Sequence, residues 1–225
     1  MKDKPHKGFP DPRCGPVSLP LAQGGALTVD RLLSAYEMGI FPWYSEGEPV
    51  YWWCPDPRFI LLLSDFHYPH SLRRELKNPV WKTTIDTAFE EVICACAVSP
   101  RPGQKGTWIT DEMIAAYTQL HRAGYAHSVE CWREGELTGG LYGVSLGNIF
   151  FGESMFHRIT NASKVALARL VNQLKHWGFH SIDCQMPNVH LEVFGAKAIS
   201  RNYFLDLLKV VLKQPTRQGS WESIG

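Results

Sequence analysis

AHSVECWREGELTGGLYGVSLGNIFFG, residues 126–152, sets the fold class, because its apolar residues recur at every second position between two clusters of turn formers. A period of two sends successive side chains to opposite faces of a strand. The stretch reads as three consecutive antiparallel strands, Ala126–Arg133, Leu137–Leu146 and Asn148–Gly152, turning at Glu134-Gly135-Glu136 and Gly147-Asn148. Toward the C-terminus the period becomes helical: Leu167, Leu170, Val171 and Leu174 share one face of Ala162–Trp177, and Gly178 stops it. Ser181–Gln185 then reads as a strand, Val189–Phe194 as a short helix and Asn202–Leu212 as the last helix. Toward the N-terminus, Thr110 caps a helix that turns Met113, Ile114, Tyr117 and Leu120 inward, and Gly124 ends it. Asp86–Ala97 is expected as a helix, Val80–Ile85 and Phe59–Leu63 as strands, and His70–Lys77 as a basic helical turn. Helix, three-strand meander, helix, strand, helix is an α+β order from about residue 65 onward.

Ahead of it, Leu32, Leu33, Tyr36 and Ile40 recur at helical spacing, with Thr28 as N-cap and Gly39 as the glycine past the end. Residues 40–58, IFPWYSEGEPVYWWCPDPR, hold four prolines and six aromatics, which suits a rigid shaped loop rather than a helix or a long strand. The first two dozen residues lack a period and read as an irregular lead-in. A chain of 225 residues can bury a substantial core. Its 23 Lys and Arg against 22 Asp and Glu exclude a uniformly basic nucleic-acid binder and confine any such contact to a patch. Six cysteines without a CxxC pair suit buried free thiols, and neither a signal peptide nor a membrane span is read, so a cytoplasmic location is expected. His176 and His180 straddle Gly178 without a companion ligand, so no metal site is expected, and no cofactor motif occurs. Eight tryptophans are the oddest number in the composition.

Five blocks carry a resemblance: LLSAYEMGIFPWY at 32–44, YWWCPDPR at 51–58, GTWIT at 106–110, GESMF at 152–156 and DCQ at 183–185. In this order and spacing, over about residues 24–208, the chain resembles the bacterial leucyl/phenylalanyl-tRNA–protein transferases. The resemblance implies a small N-terminal α/β domain, 1–64, carrying the aromatic loop, and an acetyltransferase-like catalytic domain, 65–225. It also implies transfer of Leu, also Phe and less so Met, from aminoacyl-tRNA to the N-terminal amine of proteins beginning with Arg or Lys. That product is a degradation signal. A monomer without cofactor or membrane partner is expected.

Residue by residue, Tyr36, Trp43, Trp108, Tyr117 and Asn188 look like the family positions that hold the 3′-terminal adenosine, and flat aromatic faces are what base stacking needs. Without the resemblance, Tyr and Trp are more often core. Asp183 and Gln185, at i and i+2 of a strand, share a face; in the family they look like a catalytic pair, and otherwise they could cap the turn at Pro187-Asn188. Gln185 is read mainly as a positioning group, because an oriented α-amine attacking an activated ester asks little of a base. Glu153, at a strand end beside Gly152, resembles a catalytic-site residue suited to a cationic acceptor; alternatively it is a surface partner of Lys164 or Arg158. Leu141, Phe150 and Leu170 match the pocket for the transferred side chain, and equally fit core periodicity. Arg74 and Lys77, in a basic cluster with Arg73, look like contacts to the tRNA backbone.

Two other functions compete: a coenzyme-A-dependent N-acyltransferase, and a non-catalytic module binding the tRNA 3′ end. The first would cradle pyrophosphate in a glycine-rich turn ahead of a helix, and Arg158–Lys164 contains no glycine.

Overall fold

A computed structural model describes residues 8–100 and 107–222. In chain order the elements are β1 (Ala22–Gln23), α1 (Val29–Glu37), β2 (Phe41–Pro42), β3 (Tyr51–Trp53), β4 (Arg58–Leu62), α2 (His70–Glu75), β5 (Lys82–Ile85), α3 (Phe89–Val98), α4 (Asp111–Arg122), β6 (Ala126–Arg133), β7 (Glu136–Leu146), β8 (Ile149–His157), α5 (Ala162–His176), β9 (Ser181–Gln185), α6 (Val189–Glu192), β10 (Lys197–Ile199) and α7 (Arg201–Val211). Local chemistry sets most of these boundaries. Thr28 Oγ1 accepts from the Arg31 amide and Thr110 Oγ1 from the Met113 amide, so the expected caps start α1 and α4.

The meander β5–β8 forms the antiparallel side of a seven-stranded sheet ordered β10-β4-β9-β8-β7-β6-β5. β8 and β9 pair in parallel, and α5 is the crossover that such a pair requires. The sheet separates two cores. One packs α3, α4, α1 and Phe151 with Tyr142; the other packs α5 against Leu141, Phe150 and Ile182. This is an α+β arrangement.

Five sequence expectations are corrected. The last meander strand, expected at Asn148–Gly152, runs as β8 from Ile149 to His157 because it keeps pairing with β7, so Glu153 lies within the strand and not at its end. The region 40–58 is not a loop throughout: β2 and β3 join β1 in a small sheet ordered β1-β3-β2. Pro42 is tolerated because β2 is an edge strand and needs no further amide donor. Adjacent Trp52 and Trp53 point to opposite sides of β3, Trp52 fully buried against Phe9 and Trp53 edge-on to Trp43. The helix expected from Asp86 begins at Phe89. Asp86 takes a left-handed conformation, φ +60°, and spends its carboxylate on the amides of Ser128 and Trp221 and on His127. β10 adds a strand where none was expected. Cys14 and Cys94 are exposed rather than buried. The expected boundary at 64/65 falls after β4, whose five residues pair with β9 and β10 in the large sheet. No helix among the described residues is long and apolar enough to cross a membrane.

Candidate active site

Two irregularities in the sheet make the site. β8 and β9 pair only from Ile149↔Ser181 to Phe151↔Asp183, after which the strands part. Opposite, Tyr142 pairs with Ser154 and Gly143 with Gly152, which makes Glu153 the extra residue of a β-bulge. A bulge frees a residue from the ladder and re-aims its side chain. Gly143 is obligatory beside it: a Cβ there would lie 2.1 Å from the Phe151 carbonyl oxygen and 2.5 Å from the Phe150 ring. Between the parted strands lies a cavity of about 350 Å³.

Glu153 stands at its polar end. Its Oε1 accepts from the Tyr36 hydroxyl at 2.6 Å and from Gln185 Nε2 at 2.7 Å, and its Oε2 from the Tyr117 hydroxyl at 3.3 Å. The two phenol oxygens lie 2.5 Å apart, and with one proton each the pair has two donors for three contacts, so the short phenol–phenol contact competes with the long one from Tyr117 to Glu153. Burial pushes the Glu153 carboxyl up to about 7, although Tyr36, Tyr117 and Gln185 all pull it down by hydrogen bonding to the charged form. Burial and the neighbouring Glu153 charge together hold both phenols well above their usual range.

Asp183 is occupied differently. Arg58 Nε donates to Oδ1 at 2.8 Å and Nη2 to Oδ2 at 2.6 Å, and both side chains are fully buried. The guanidinium lies between the rings of Phe41 and Phe204, 4.9 and 4.5 Å from their centroids. Asp183 Oδ1 also accepts the backbone amide of Gln185 at 2.9 Å, and Gln185 sits at φ +64°. The ion pair thus fixes the backbone from which the Gln185 side chain reaches Glu153.

The cavity brings together most of the residues expected to form a site. Glu153 and Gln185 occupy its polar end, Leu141, Phe150 and Leu170 its apolar wall, and Trp43, Trp108 and Asn188 also line it. The Asn188 side-chain oxygen accepts from the His190 amide as the cap of α6, so its NH₂ group is the donor left over for other partners. Tyr36 and Tyr117 are completely buried and do not line the cavity; their hydroxyls serve Glu153, and neither offers a ring face to a base. Asp183 lies behind the wall rather than in it. Arg74, in α2, and Lys77, just beyond it, are exposed and outside the cavity. Sequence reasoning missed Arg58, and also Leu61, Leu167, Ile182 and Cys184 in the apolar wall. A signal for Arg58 existed: a lone arginine opens one apolar strand and a lone aspartate interrupts another, and buried charges are found paired.

Comparison with known proteins gives the chain its family. The description "Leucyl/phenylalanyl-tRNA protein transferase" matches residues 60–209, and that family's N-terminal domain matches residues 25–56. The leucyl/phenylalanyl-tRNA–protein transferase of Oleidesulfovibrio alaskensis is 52% identical over 95% of this chain and 88% of its own length. That of Myxococcus xanthus is 51% identical over 98% of this chain and 94% of its own. Among solved structures, a ribosomal-protein-alanine N-acetyltransferase from Brucella melitensis biovar Abortus superposes at a TM-score of 0.36 and 12% identity, over 50% of this chain and 84% of its own. Two family domains in order, and more than half of all residues shared with relatives along nearly the whole length, make this chain a member of the leucyl/phenylalanyl-tRNA–protein transferase family, and thus an aminoacyltransferase.

Proposed function

We propose that the protein transfers Leu, also Phe and less so Met, from aminoacyl-tRNA to the N-terminal amine of proteins beginning with Arg or Lys, creating a degradation signal. The observation that carries this reading is a single cavity with an apolar wall of Leu141, Phe150 and Leu170 and a polar end of Glu153 and Gln185. An aminoacyl ester has the same division, an apolar side chain beside a reacting carbonyl. Trp43 and Trp108 stack the terminal adenosine with Asn188 beside them, each stacked face contributing about 1–3 kcal/mol. Tyr36 and Tyr117 support the site from behind, through Glu153. Gln185 orients the acceptor amine, and Glu153 draws the cationic acceptor inward. Arg74 and Lys77 meet phosphates of the tRNA body. We place the boundary between the small and catalytic domains before β4, which keeps the seven-stranded sheet in one unit.

The test is incubation with leucyl-tRNA and a peptide beginning with Arg, reading the peptide one residue longer. Absence of that product with consumption of acetyl-coenzyme A would establish the acyltransferase alternative, and tight tRNA binding without product the silent module.

A further inference from the structure

The reaction releases a proton from nitrogen, and the site holds two carboxylates that could take it. We infer that Glu153 takes the proton of the attacking amine and returns it to the leaving ribose oxygen, while Arg58 is a positioning residue that holds Asp183 as a fixed anchor for Gln185. This rests on the transfer reaction proposed above.

Geometry separates the two carboxylates. Asp183 does not line the cavity, and its oxygens already accept three hydrogen bonds, two from Arg58 and one from the Gln185 amide. A proton placed there would strip a fully buried guanidinium of its counter-charge. Glu153 lines the cavity, is freed from the sheet by the bulge, and among the described residues its Oε2 meets only the long 3.3 Å contact from Tyr117. An amine held by Gln185 therefore lies beside a carboxylate oxygen with spare acceptor capacity. The groups facing that carboxylate are Tyr36 of α1, Tyr117 of α4 and Gln185 of β9, with Asp183 and its partner Arg58 further back. The phenols donate and hold their own protons, so the carboxylate is the group that titrates. Its midpoint near 7 is that of a base matched to neutral pH.

The step balances without a co-reactant. The neutral amine's lone pair attacks the ester carbonyl carbon, a C–N bond forms, and one N–H proton passes to a Glu153 oxygen. Collapse of the tetrahedral intermediate breaks the bond to the ribose oxygen, which takes the proton from Glu153. Ester and amine become amide and hydroxyl.

The experiment is the pH dependence of kcat/KM for an Arg-initiated peptide between pH 5.5 and 8. An α-amine deprotonates at about 7.7–8.0. If Glu153 must also be ionised, two protons have to be lost, so wild-type kcat/KM falls about 100-fold per pH unit at the acid end. Glu153→Gln is expected to lower the plateau at least about 100-fold and reduce the acid slope to about tenfold per unit, leaving the amine alone. Tyr36→Phe removes a donor to the charged carboxylate and moves the acid limb to higher pH. A wild-type slope of tenfold per unit, a Glu153→Gln variant at the wild-type plateau, or an unmoved limb in Tyr36→Phe each overturns the assignment; the first needs no variant at all. Wild-type protein yielding no product at any pH would instead refute the transfer reaction itself.

Discussion

Replacing Arg58 by Met tests whether the buried ion pair governs the site. Met keeps an unbranched chain between Phe41 and Phe204 but leaves the Asp183 carboxylate, fully inaccessible to water, without its counter-charge. Breaking a buried pair by removing one partner costs about 3–5 kcal/mol, because the remaining charge cannot be resolvated. For a chain of this length each kcal/mol shifts the melting temperature by about 2–4 °C, so the variant should melt roughly 6–20 °C lower. Arg58→Met combined with Asp183→Asn removes both charges and still offers an amide oxygen to the Gln185 backbone, so it should recover to within about 2 kcal/mol of the parent. Thermal unfolding followed by circular dichroism reads both. An Arg58→Met melting point within 2 °C of the parent would refute the reasoning, since that is the range of an exposed pair. So would losses that simply add in the double variant. Activity adds a second reading: a double variant that folds but transfers nothing would mean that the Asp183 charge itself enters the chemistry, against a proton route through Glu153.

Three further outcomes are expected. Burial raises the Glu153 carboxyl from its ordinary 4.5 to about 7, so the folded protein keeps a proton that the unfolded chain has lost over that range. Stability then falls as pH rises from about 4.5 to 7, and urea titrations should show Glu153→Gln gaining about 3 kcal/mol relative to the parent between pH 5 and pH 8; a constant difference would contradict this. Trp108→Ala should cut kcat/KM for leucyl-tRNA by about 10–100-fold, the value of one stacked base, whereas Trp177→Ala should act on stability alone, because Trp177 packs on Trp221 and Arg217 away from the cavity. Equal kinetic effects would show the two tryptophans wrongly sorted. Arg74→Ala with Lys77→Ala should reduce the slope of log binding constant against log salt by about 1–2 for tRNA while leaving it unchanged for an aminoacyl-adenosine fragment; an unchanged tRNA slope would remove these residues from the interface.

How far the site could be read from the chain depended on distance along it. The α1 and α4 caps, the 126–152 meander and the apolar face of α5 all follow from neighbours within a few residues, and they were legible. The wall residues Leu141, Phe150 and Leu170 stand out only through the family resemblance, since strand and helix periodicity alone makes them ordinary core. Tyr36 and Tyr117 show the limit: their period correctly turns them inward, but whether an inward phenol meets a ligand or a buried carboxylate depends on what stands opposite. Opposite stands Glu153, 117 and 36 residues away along the chain.

An α+β chain, with one short helix and an aromatic segment ahead of a meander, and the tryptophans and carboxylates from which a site could be made, follow from the order of residues alone. Periodicity, caps and turn residues act locally, so they can be read without knowing what packs where. That β8 and β9 run parallel and then part, that a bulge turns Glu153 into the opening, and that Arg58 reaches Asp183 across 125 residues to fix Gln185 follow from how the folded elements meet. Alternation says which face a side chain takes but not which strand lies beside it. The pairing of buried charges and the shift of a buried carboxyl come from that neighbour and from the exclusion of water around it.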